Sequence, residues 1–426
     1  MRNKKRFWGF IKDPIHGYVR ITKSEKKIID TAPVQRLRRI KQLAASFLVY
    51  PAANHTRFEH SLGTMHLAGI LGENLPIDFG ELFVAELRIA SMLHDIGHGP
   101  LSHLFEPLLS KYISKNHEDM TLWLIENSEL SEVIRREGFD PTRISKLAVG
   151  GLMDEDKPFV DQIIRSSVDV DKMDFILRDS YHTGAGYGYI DVFRLIYTMD
   201  LLDNNLAIDV TALSALEAFL LARLQSFKAI YFHRTARAAQ IMLIRAMDQA
   251  KDEIGLFDFI SSDDYLKLDD YSIWYMLKKC GKSNPIIEKI ENRKLLKCAY
   301  EKTFFVKDQL MSSIFENEAV RIKIEGEIAS KAGVNKDQVM IDFPSMPSVP
   351  YHNAIDFEPM DIPIFYKNSK GEKIPQQITD LSRIIDSLRV FMNIIRVYTE
   401  KPYRKDVHEA SEDIFGKSPL SSLISY

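Results

Sequence analysis

The feature that most constrains the fold of this chain is the segment 93–103, which contains three of the twelve histidines and places Asp95 directly after His94. Neighbouring residues on a regular helix or strand point in different directions, so adjacent side chains approach one ion only where the backbone changes course. The apolar run 87–93 predicts a buried helix, and the glycines and proline that follow predict its end. We therefore expect a helix end that brings His94 and Asp95 into one cavity. The alternative is a helix end whose histidines only complement the helix dipole.

The composition is that of an ordinary globular protein. With 426 residues, of which 45% are hydrophobic and 27% charged, the chain can form one large domain or two moderate ones. A net charge of −3 argues against non-specific nucleic-acid binding but leaves room for a local basic pocket. The two cysteines, Cys280 and Cys298, form no CxxC pair, which is typical of a reducing cytoplasm and excludes a disulfide framework. Because no signal-peptide core and no window near ~18 apolar residues occurs, we expect a cytoplasmic protein that does not enter a membrane.

Apolar residues recur at helical spacing through most of the chain, while a few short segments carry strand patterns. Aromatic and β-branched residues predict a hairpin in residues 7–20, and residues 367–371 form a second candidate hairpin turn. The glycine-rich residues 184–188 follow no strand, so we interpret them as a loop and not as a phosphate-binding motif. The sequence predicts a mainly α protein with a helical catalytic core over residues 1–300 and a smaller C-terminal α+β lobe over residues 301–426.

Two histidines and two aspartates, in the order His60, His94–Asp95 and Asp171, form a candidate metal site. Such a mixed nitrogen and oxygen set suits one divalent ion of Mn, Fe, Zn, Ni or Mg and leaves positions for water and a phosphoryl oxygen. Aspartates are also unusually dense in residues 169–179, and buried carboxylates are costly unless they are paired or bind metal. The pattern predicts metal-assisted phosphoester hydrolysis.

On these residues the chain resembles the HD-domain phosphohydrolases, and within them the dNTP triphosphohydrolases. The segments that carry the resemblance span nearly the whole chain and are residues 13–17, 29–31, 35–43, 57–63, 94–103, 169–179, 395–398 and 404–405. The resemblance implies a helical HD-domain core and hydrolysis of a dNTP to a deoxynucleoside and inorganic triphosphate, with dGTP as a candidate preferred substrate or activator. It also implies a homo-oligomer, either a dimer or a tetramer. Because the matching segments begin close to Met1, we expect no SAM domain ahead of them.

The resemblance also assigns roles to individual residues. The implied metal ligands are His60, His94, Asp95 and Asp171. The implied catalytic residues are His117, which protonates the departing 5′ oxygen and is oriented by Glu106 or Glu118, together with His98 and His103. The implied triphosphate contacts are Arg57, His98, His103, Lys172 and, on the phosphate side, Arg223. The implied sugar contacts are Gln42 and Asp179 for the 3′ hydroxyl, and Tyr231 with Leu43, which leave no room for a 2′ hydroxyl.

The sequence departs from the family pattern at two places. A tyrosine of the family's substrate pocket is replaced by Phe175, which lacks the hydroxyl donor. Asp30, Gln35 and Arg38 match positions that bind an activating guanine nucleotide, but the residues that accompany them in the family are replaced by Gly9 and Phe10. Nucleotide activation is therefore expected only from Asp30, Gln35 and Arg38, and a flat dGTP titration of dATP hydrolysis would refute it.

Other interpretations stay open at this point. The histidine-rich segment is similar to that of cyclic dinucleotide phosphodiesterases, so a phosphodiesterase or nucleotidase is the first alternative. The basic residues between Arg36 and Lys41 leave a non-catalytic nucleotide- or nucleic-acid-binding module as the second, and a solvated helix face as the bland explanation. His98 and His103 could also be packing residues, and Arg223 and Tyr231 ordinary helix-face residues.

Overall fold

The computed structural model describes residues 7–77, 80–306, 317–347, 363–387 and 391–418. Most of these residues are helical, which confirms the prediction of a mainly α protein. The α-helices of the first 300 residues are α1 (Lys23–Ile29), α2 (Ala32–Arg36), α3 (Arg57–Asn74), α4 (Gly80–Leu93), α5 (Glu106–Ile113), α6 (His117–Asn127), α7 (Glu129–Arg136), α8 (Pro141–Ala148), α9 (Phe159–Ile164), α10 (Val170–Thr183), α11 (Val192–Thr198), α12 (Leu213–Ser226), α13 (Arg234–Ala250), α14 (Ser262–Leu266), α15 (Asp270–Lys279) and α16 (Asn284–Glu291). Those that follow are α17 (Glu318–Ala332), α18 (Ile378–Leu381), α19 (Arg383–Ser387) and α20 (Arg404–Phe415).

The described strands form three small sheets. They are β1 (Gly9–Asp13), β2 (Gly17–Ile21), β3 (Met199–Leu202), β4 (Asn205–Asp209), β5 (Lys297–Val306), β6 (Met340–Asp342), β7 (Ser345–Pro347), β8 (Ile364–Lys367), β9 (Lys373–Gln376) and β10 (Phe391–Thr399). The antiparallel pairs β1–β2 and β8–β9 confirm both predicted hairpins. Residues 184–188 carry no helix or strand, which confirms the predicted loop.

Helices α3, α4 and α10 form the part of the core that holds the candidate site. α3 begins at a capping box between Thr56 and Glu59, and most of its length is buried. α4 packs along α3 and ends at Leu93, directly before His94. The side chain of Asp169 caps α10 by accepting a hydrogen bond from the Lys172 amide. His94 and Asp95 therefore follow directly on a helix end, as the histidine-rich segment predicted, and His60 and Asp171 lie in the first turns of α3 and α10.

The C-terminal part of the chain contributes to two different sheets. Strands β6 and β5 flank β10, β7 also pairs with β10, and α17 and α20 pack against each other and the sheet. Strand β8, however, pairs in parallel with β4, and the buried side chains of Ile364, Ile378 and Ile385 join the large helical core. The domain boundary at residue 300 stays a prediction, and the late segment 363–387 packs on the earlier part of the chain.

One stretch is long and apolar enough, by length and composition alone, to cross a membrane. It is Val210–Tyr231, and 44% of its most apolar window is buried inside the protein. The expectation that no window approaches such a length is therefore wrong for this stretch. Core helices of globular proteins pass the same test, and Arg223 in its middle is itself buried.

Candidate active site

The four candidate metal ligands converge. His60 Nε2 lies 3.0 Å from Asp171 Oδ1 and 3.6 Å from Asp95 Oδ2. His94 Nε2 lies 3.4 Å from Asp95 Oδ1 and 3.5 Å from Asp171 Oδ1. One ligand atom each of His60, His94 and Asp95 lies within 4.8 Å of the others, a spacing at which they could hold one metal ion. Segments separated by up to 111 residues thus supply one cluster.

In both His60 and His94, the Nδ1 atom is hydrogen-bonded to a group outside the ligand cluster, which directs Nε2 into the cluster. His60 Nδ1 donates to Asp174 Oδ2 at 2.7 Å, and His94 Nδ1 donates to the Ser91 carbonyl at 2.7 Å. His94 Nε2 is buried without a hydrogen-bond partner. A buried imidazole nitrogen facing two carboxylates is a poor arrangement unless a cation lies between them, so the residues present fit a divalent ion.

The electrostatics of the cluster lead to the same conclusion. Burial lowers the pKa of His60, but the carboxylates of Asp171 and Asp174 outweigh it and raise the pKa to about 10. Burial raises the pKa of Asp95, yet the cations beside it, Arg57 foremost, hold that pKa well below its usual range. This concentration of negative charge favours a bound proton or, in its place, a divalent cation.

Arg57 lies against the cluster and is 1% exposed. Its Nε donates to Ser102 Oγ at 2.8 Å, and Nη1 donates to Asp95. Nη2 is buried without a partner. Arg57 thus fixes Asp95 and keeps one donor unused, and its contact with a triphosphate stays a prediction.

The predicted catalytic residues form a second cluster beside the first. Glu106 accepts hydrogen bonds from His117 Nδ1 at 2.6 Å and from His103 Nδ1 at 3.2 Å. The ring of His98 stacks on that of His117, with centroids 4.2 Å apart, and His98 Nε2 lies 3.3 Å from Asp95 Oδ1. His98 therefore touches both clusters. Of the two carboxylates predicted to orient His117, the structure selects Glu106.

Local backbone packing explains why His117 comes close. A Cβ atom on Gly97 would lie 2.2 Å from the carbonyl oxygen of His117 and 2.3 Å from the Thr121 amide nitrogen, so only glycine lets α6 approach this turn.

Glu118 points elsewhere and pairs with Arg165 at 2.9 Å. His103 is different again, because its side chain is 66% exposed. Burial and the nearby Arg57 and His117 hold the pKa of His98 well below its usual range.

The predicted sugar-contacting residues also lie together. Asp179 accepts hydrogen bonds from Tyr231 and, at 2.7 Å, from His55 Nε2. Leu43 packs in the same small apolar cluster as Tyr231. Gln42 Oε1 is buried without a hydrogen-bond partner, as expected of an acceptor reserved for a ligand.

Phe175 and the predicted phosphate contacts line the same region. The Phe175 ring lies 6.2 Å from the Tyr231 ring in an edge-on arrangement. Lys172 Nζ donates to Asp169 Oδ2 at 2.6 Å. The guanidinium of Arg223 lies 5.4 Å from the centre of the Phe227 ring, and burial lowers its pKa to about 10.

The predicted activator residues form a partial cluster. Arg38 Nε donates to Gln35 Oε1 at 2.9 Å and stacks over Phe58, 3.6 Å from its ring centre. Asp30 is exposed and pairs with Lys26. In the basic segment that begins at Arg36, Arg38 and Arg39 are exposed, whereas Arg36 is fully buried and donates to the Leu268 carbonyl at 2.8 Å.

Sequence reasoning missed a set of residues that support the ligands. Asp174 bonds His60, and Arg178 and His16 bond Asp174 in turn. His55 supports Asp179. The sequence carries part of the signal, since residues 169–179 are too rich in aspartate for an ordinary core helix, but helical spacing alone does not say which carboxylate faces the ligands.

Family comparisons define the class of protein. Residues 57–174 match the HD domain, and residues 190–419 match the HD associated region. The second match covers more than half of the chain, so the chain belongs to the HD-domain phosphohydrolases. Members of this class bind a divalent metal, in agreement with the cluster of His60, His94 and Asp95.

Individual relatives sharpen the comparison. The uncharacterized protein MJ1154 of Methanocaldococcus jannaschii is 30% identical over 405 residues, which are 94% of this chain and 81% of that protein. The deoxynucleoside triphosphate triphosphohydrolase SAMHD1 of Homo sapiens is 28% identical over 456 residues, covering 94% of this chain and 72% of the human one. A crystal structure of a hypothetical protein from Aquifex aeolicus has a TM-score of 0.77 at 29% identity and covers 94% of this chain and 99% of its own.

Proposed function

We propose that this HD-domain phosphohydrolase is a metal-dependent dNTP triphosphohydrolase that converts a dNTP and water to a deoxynucleoside and inorganic triphosphate. The observation that carries the proposal is the convergence of four candidate ligands beside the His117–Glu106 pair. The similarity to relatives named deoxynucleoside triphosphate triphosphohydrolase supports the choice of substrate.

The proposed metal ligands are the two Nε2 atoms of His60 and His94 and the carboxylates of Asp95 and Asp171. The donor set suits Mn, Fe, Zn, Ni or Mg. A divalent cation held there supplies Lewis-acid polarisation of a phosphoryl oxygen. Asp174 and the Ser91 carbonyl keep both imidazoles in the tautomer that binds a cation.

His117 is the proposed general acid. A water oxygen bonds to the α-phosphorus and releases a proton to solvent, the bond from that phosphorus to the 5′ oxygen breaks, and the 5′ oxygen takes a proton from His117 Nε2, which solvent restores. Glu106 accepts a hydrogen bond from His117 Nδ1 at 2.6 Å, so it orients the ring and stabilises the imidazolium. His98, stacked on this ring, keeps it in place, and His103 shares the Glu106 carboxylate.

The remaining predicted contacts select the substrate. Asp179 and Gln42 are proposed to bind the 3′ hydroxyl, and Tyr231 with Leu43 to close the space that a ribose 2′ hydroxyl would need. The proposed phosphate contacts are Arg57, Lys172, Arg223, His98 and His103. Discrimination of this kind is strong when buried polar groups would otherwise be left unpaired.

Four finer points belong to the same proposal. A dGTP-activated state would involve Asp30, Gln35 and Arg38, and a dGTP titration of dATP hydrolysis tests it. A preference for dGTP as substrate is tested by comparing the turnover of the four dNTPs. Assembly into a dimer or tetramer is tested by light scattering of the purified protein. A cytoplasmic location is tested by fractionation of the source cells.

Product analysis tests the activity itself. The purified chain is stripped of metal, reloaded with Mn²⁺, and offered matched dNTPs and NTPs. Chromatography should show a deoxynucleoside and triphosphate from dNTPs and little product from NTPs. Pyrophosphate with a deoxynucleoside monophosphate would overturn the triphosphohydrolase assignment, and equal turnover of NTPs would overturn the sugar pocket.

A further inference from the structure

A buried charged network connects the candidate metal centre to the N-terminal hairpin. Asp174 accepts four hydrogen bonds, from His60 Nδ1, from His16 Nε2 at 2.6 Å, and from Arg178 Nε and Nη2 at 2.8 and 2.9 Å. A carboxylate has about four acceptor positions, so Asp174 is saturated. The side chain of His16 is 1% exposed, and those of Asp174 and Arg178 are fully buried.

The hairpin turn is built to deliver His16 to this network. Asp13 Oδ1 accepts hydrogen bonds from the backbone amides of Ile15 and His16 at 2.9 and 2.8 Å, which closes the turn. Asp13 Oδ2 accepts Arg178 Nη1 at 2.8 Å. Gly17 follows with φ of +76°, a conformation that favours glycine. One aspartate therefore shapes the turn and anchors it to α10.

Helix α3 is also built for this contact. A Cβ atom on Gly63 would lie 1.9 Å from Asp174 Oδ1 and 2.6 Å from Arg178 Nη2. Gly63 lies one helical turn after His60, on the face that meets α10. Only a residue without a side chain at this position lets the Asp174 carboxylate reach the ring of His60.

We propose that His16 is a positioning residue of the metal centre, which acts through Asp174 and makes the N-terminal hairpin turn part of that centre. The inference rests on the proposed function, because it concerns the same metal ligands. Without the His16 donor, Asp174 Oδ1 keeps only the Arg178 Nη2 donor among the described residues, so the carboxylate is held from one side and fixes the ring of His60 less firmly. Removing a group that orients a metal ligand typically lowers metal affinity by about 10–100-fold.

The test is metal binding by the full, metal-stripped chain, with Mn²⁺ affinity from calorimetry and the visible spectrum of the Co²⁺-loaded protein. His16→Ala should bind Mn²⁺ about 10–100-fold more weakly and show an altered Co²⁺ spectrum. His16→Gln, which keeps a donor for Asp174, should recover most of both. His66→Gln is the matched control, since the His66 ring lies 5.4 Å from that of His16 but is not among the described groups that hydrogen-bond Asp174.

The outcomes separate the two proposals. Wild-type affinity and spectrum in a folded His16→Ala would overturn the positioning role while leaving the metal site intact. Equal weakening in His66→Gln would overturn it as well, because the effect would then be general to this part of the fold. If the wild-type chain binds neither ion, the proposed function fails and the inference fails with it. Should His16→Ala not fold, His16→Asn, too short to reach Asp174, replaces it and is judged in the same way.

Discussion

Beneath the C-terminal sheet, both carboxylate oxygens of Asp342 accept hydrogen bonds from Arg237, one of them at 3.0 Å from Nε. Around His60 the buried charges are arranged differently. There Asp95 and Asp171 approach two imidazole nitrogens, and His94 Nε2 has no hydrogen-bond partner. The first group is an ion pair that satisfies its own acceptors, whereas the second leaves lone pairs converging on one point.

The difference teaches how a functional cluster can be told from a structural one. Buried charge is common to both regions, and so are arginines, since Arg396 pairs with Glu301 under the same sheet. What Arg396 leaves unpaired is a donor, Nη1, which cannot bind a cation. Unmatched acceptors, and not burial, mark the HD-domain centre as a metal site.

The largest expected effect is the loss of the metal centre in a variant that leaves the Arg237–Asp342 ion pair intact. Asp171→Asn should abolish metal binding and lower kcat by about 10³-fold or more, because a bound cation contributes several kcal/mol to catalysis. When both proteins are stripped of metal, the free energy of unfolding should change little, since the Asp171 side chain is 30% exposed. Metal content after reloading, and denaturant unfolding of the metal-stripped proteins, check the two statements.

Asp342→Asn is the matched control for that variant. It should lower the free energy of unfolding by roughly 3 kcal/mol, because it leaves the Arg237 guanidinium without its carboxylate. Metal content per folded molecule should stay at the wild-type value. A normal metal content in Asp171→Asn, or metal loss in Asp342→Asn, would contradict the comparison.

The next effect separates metal binding from proton transfer. His117→Gln should lower kcat by about 10²–10⁴-fold with unchanged Mn²⁺ affinity, since a general acid contributes in that range. Glu118→Gln should stay near wild type, because Glu118 pairs with Arg165 and not with His117. Similar losses in both variants would argue that the start of α6 matters only for folding.

A smaller effect concerns pH and the network beside the metal centre. Burial lowers the pKa of His66 to about 4, with the nearby His16 and Arg88 acting in the same direction and Asp13 and Asp174 against it. An unfolded histidine titrates near 6.5, so the unfolded state takes up protons first as pH falls. The stability contributed by neutral His66 is thus present above about pH 6.5 and lost as pH falls toward 4.

Urea unfolding at pH 7 and pH 5 measures this loss. The wild-type free energy of unfolding should fall by about 1–2 kcal/mol from His66 alone, and His66→Gln should remove that share. His182, whose pKa burial also lowers to about 4, should account for a second share. An unchanged pH dependence in both His66→Gln and His182→Gln would contradict the assignment.

The smallest effect tests the pocket. Phe175→Tyr restores a hydroxyl near Tyr231 and should lower the KM for dNTPs a few-fold at constant kcat, since one added hydrogen bond contributes about 1 kcal/mol. Phe227→Tyr, on a ring that also packs against Tyr231 at 4.8 Å, is the matched control and should not change KM. The same improvement in both variants would argue against a substrate contact at position 175.

The sequence predicted the ligand cluster better than its support. His94 and Asp95 follow from a helix end, and their order with His60 and Asp171 predicted one site, because the metal chemistry requires these residue types. Asp174 was missed, since its role depends on the packing of α10 against Gly63, which no local pattern reveals.

Other features that the sequence did not predict also depend on contacts between distant parts of the chain. Arg36 is buried because its acceptor, the Leu268 carbonyl, comes from a segment 232 residues later in the chain. The pairing of β4 with β8 was likewise invisible to local periodicity, since it joins Ile208 to Ile364. Long-range partners decide such cases, and residue spacing does not contain them.

That late strand has a consequence for biosynthesis. As the polypeptide leaves the ribosome, β4 emerges with its outer edge bare, and the strand that covers this edge is still untranslated. An open β edge can pair with the strands of other chains, so every nascent molecule passes through an interval in which the uncovered edge of β4 is open to such pairing.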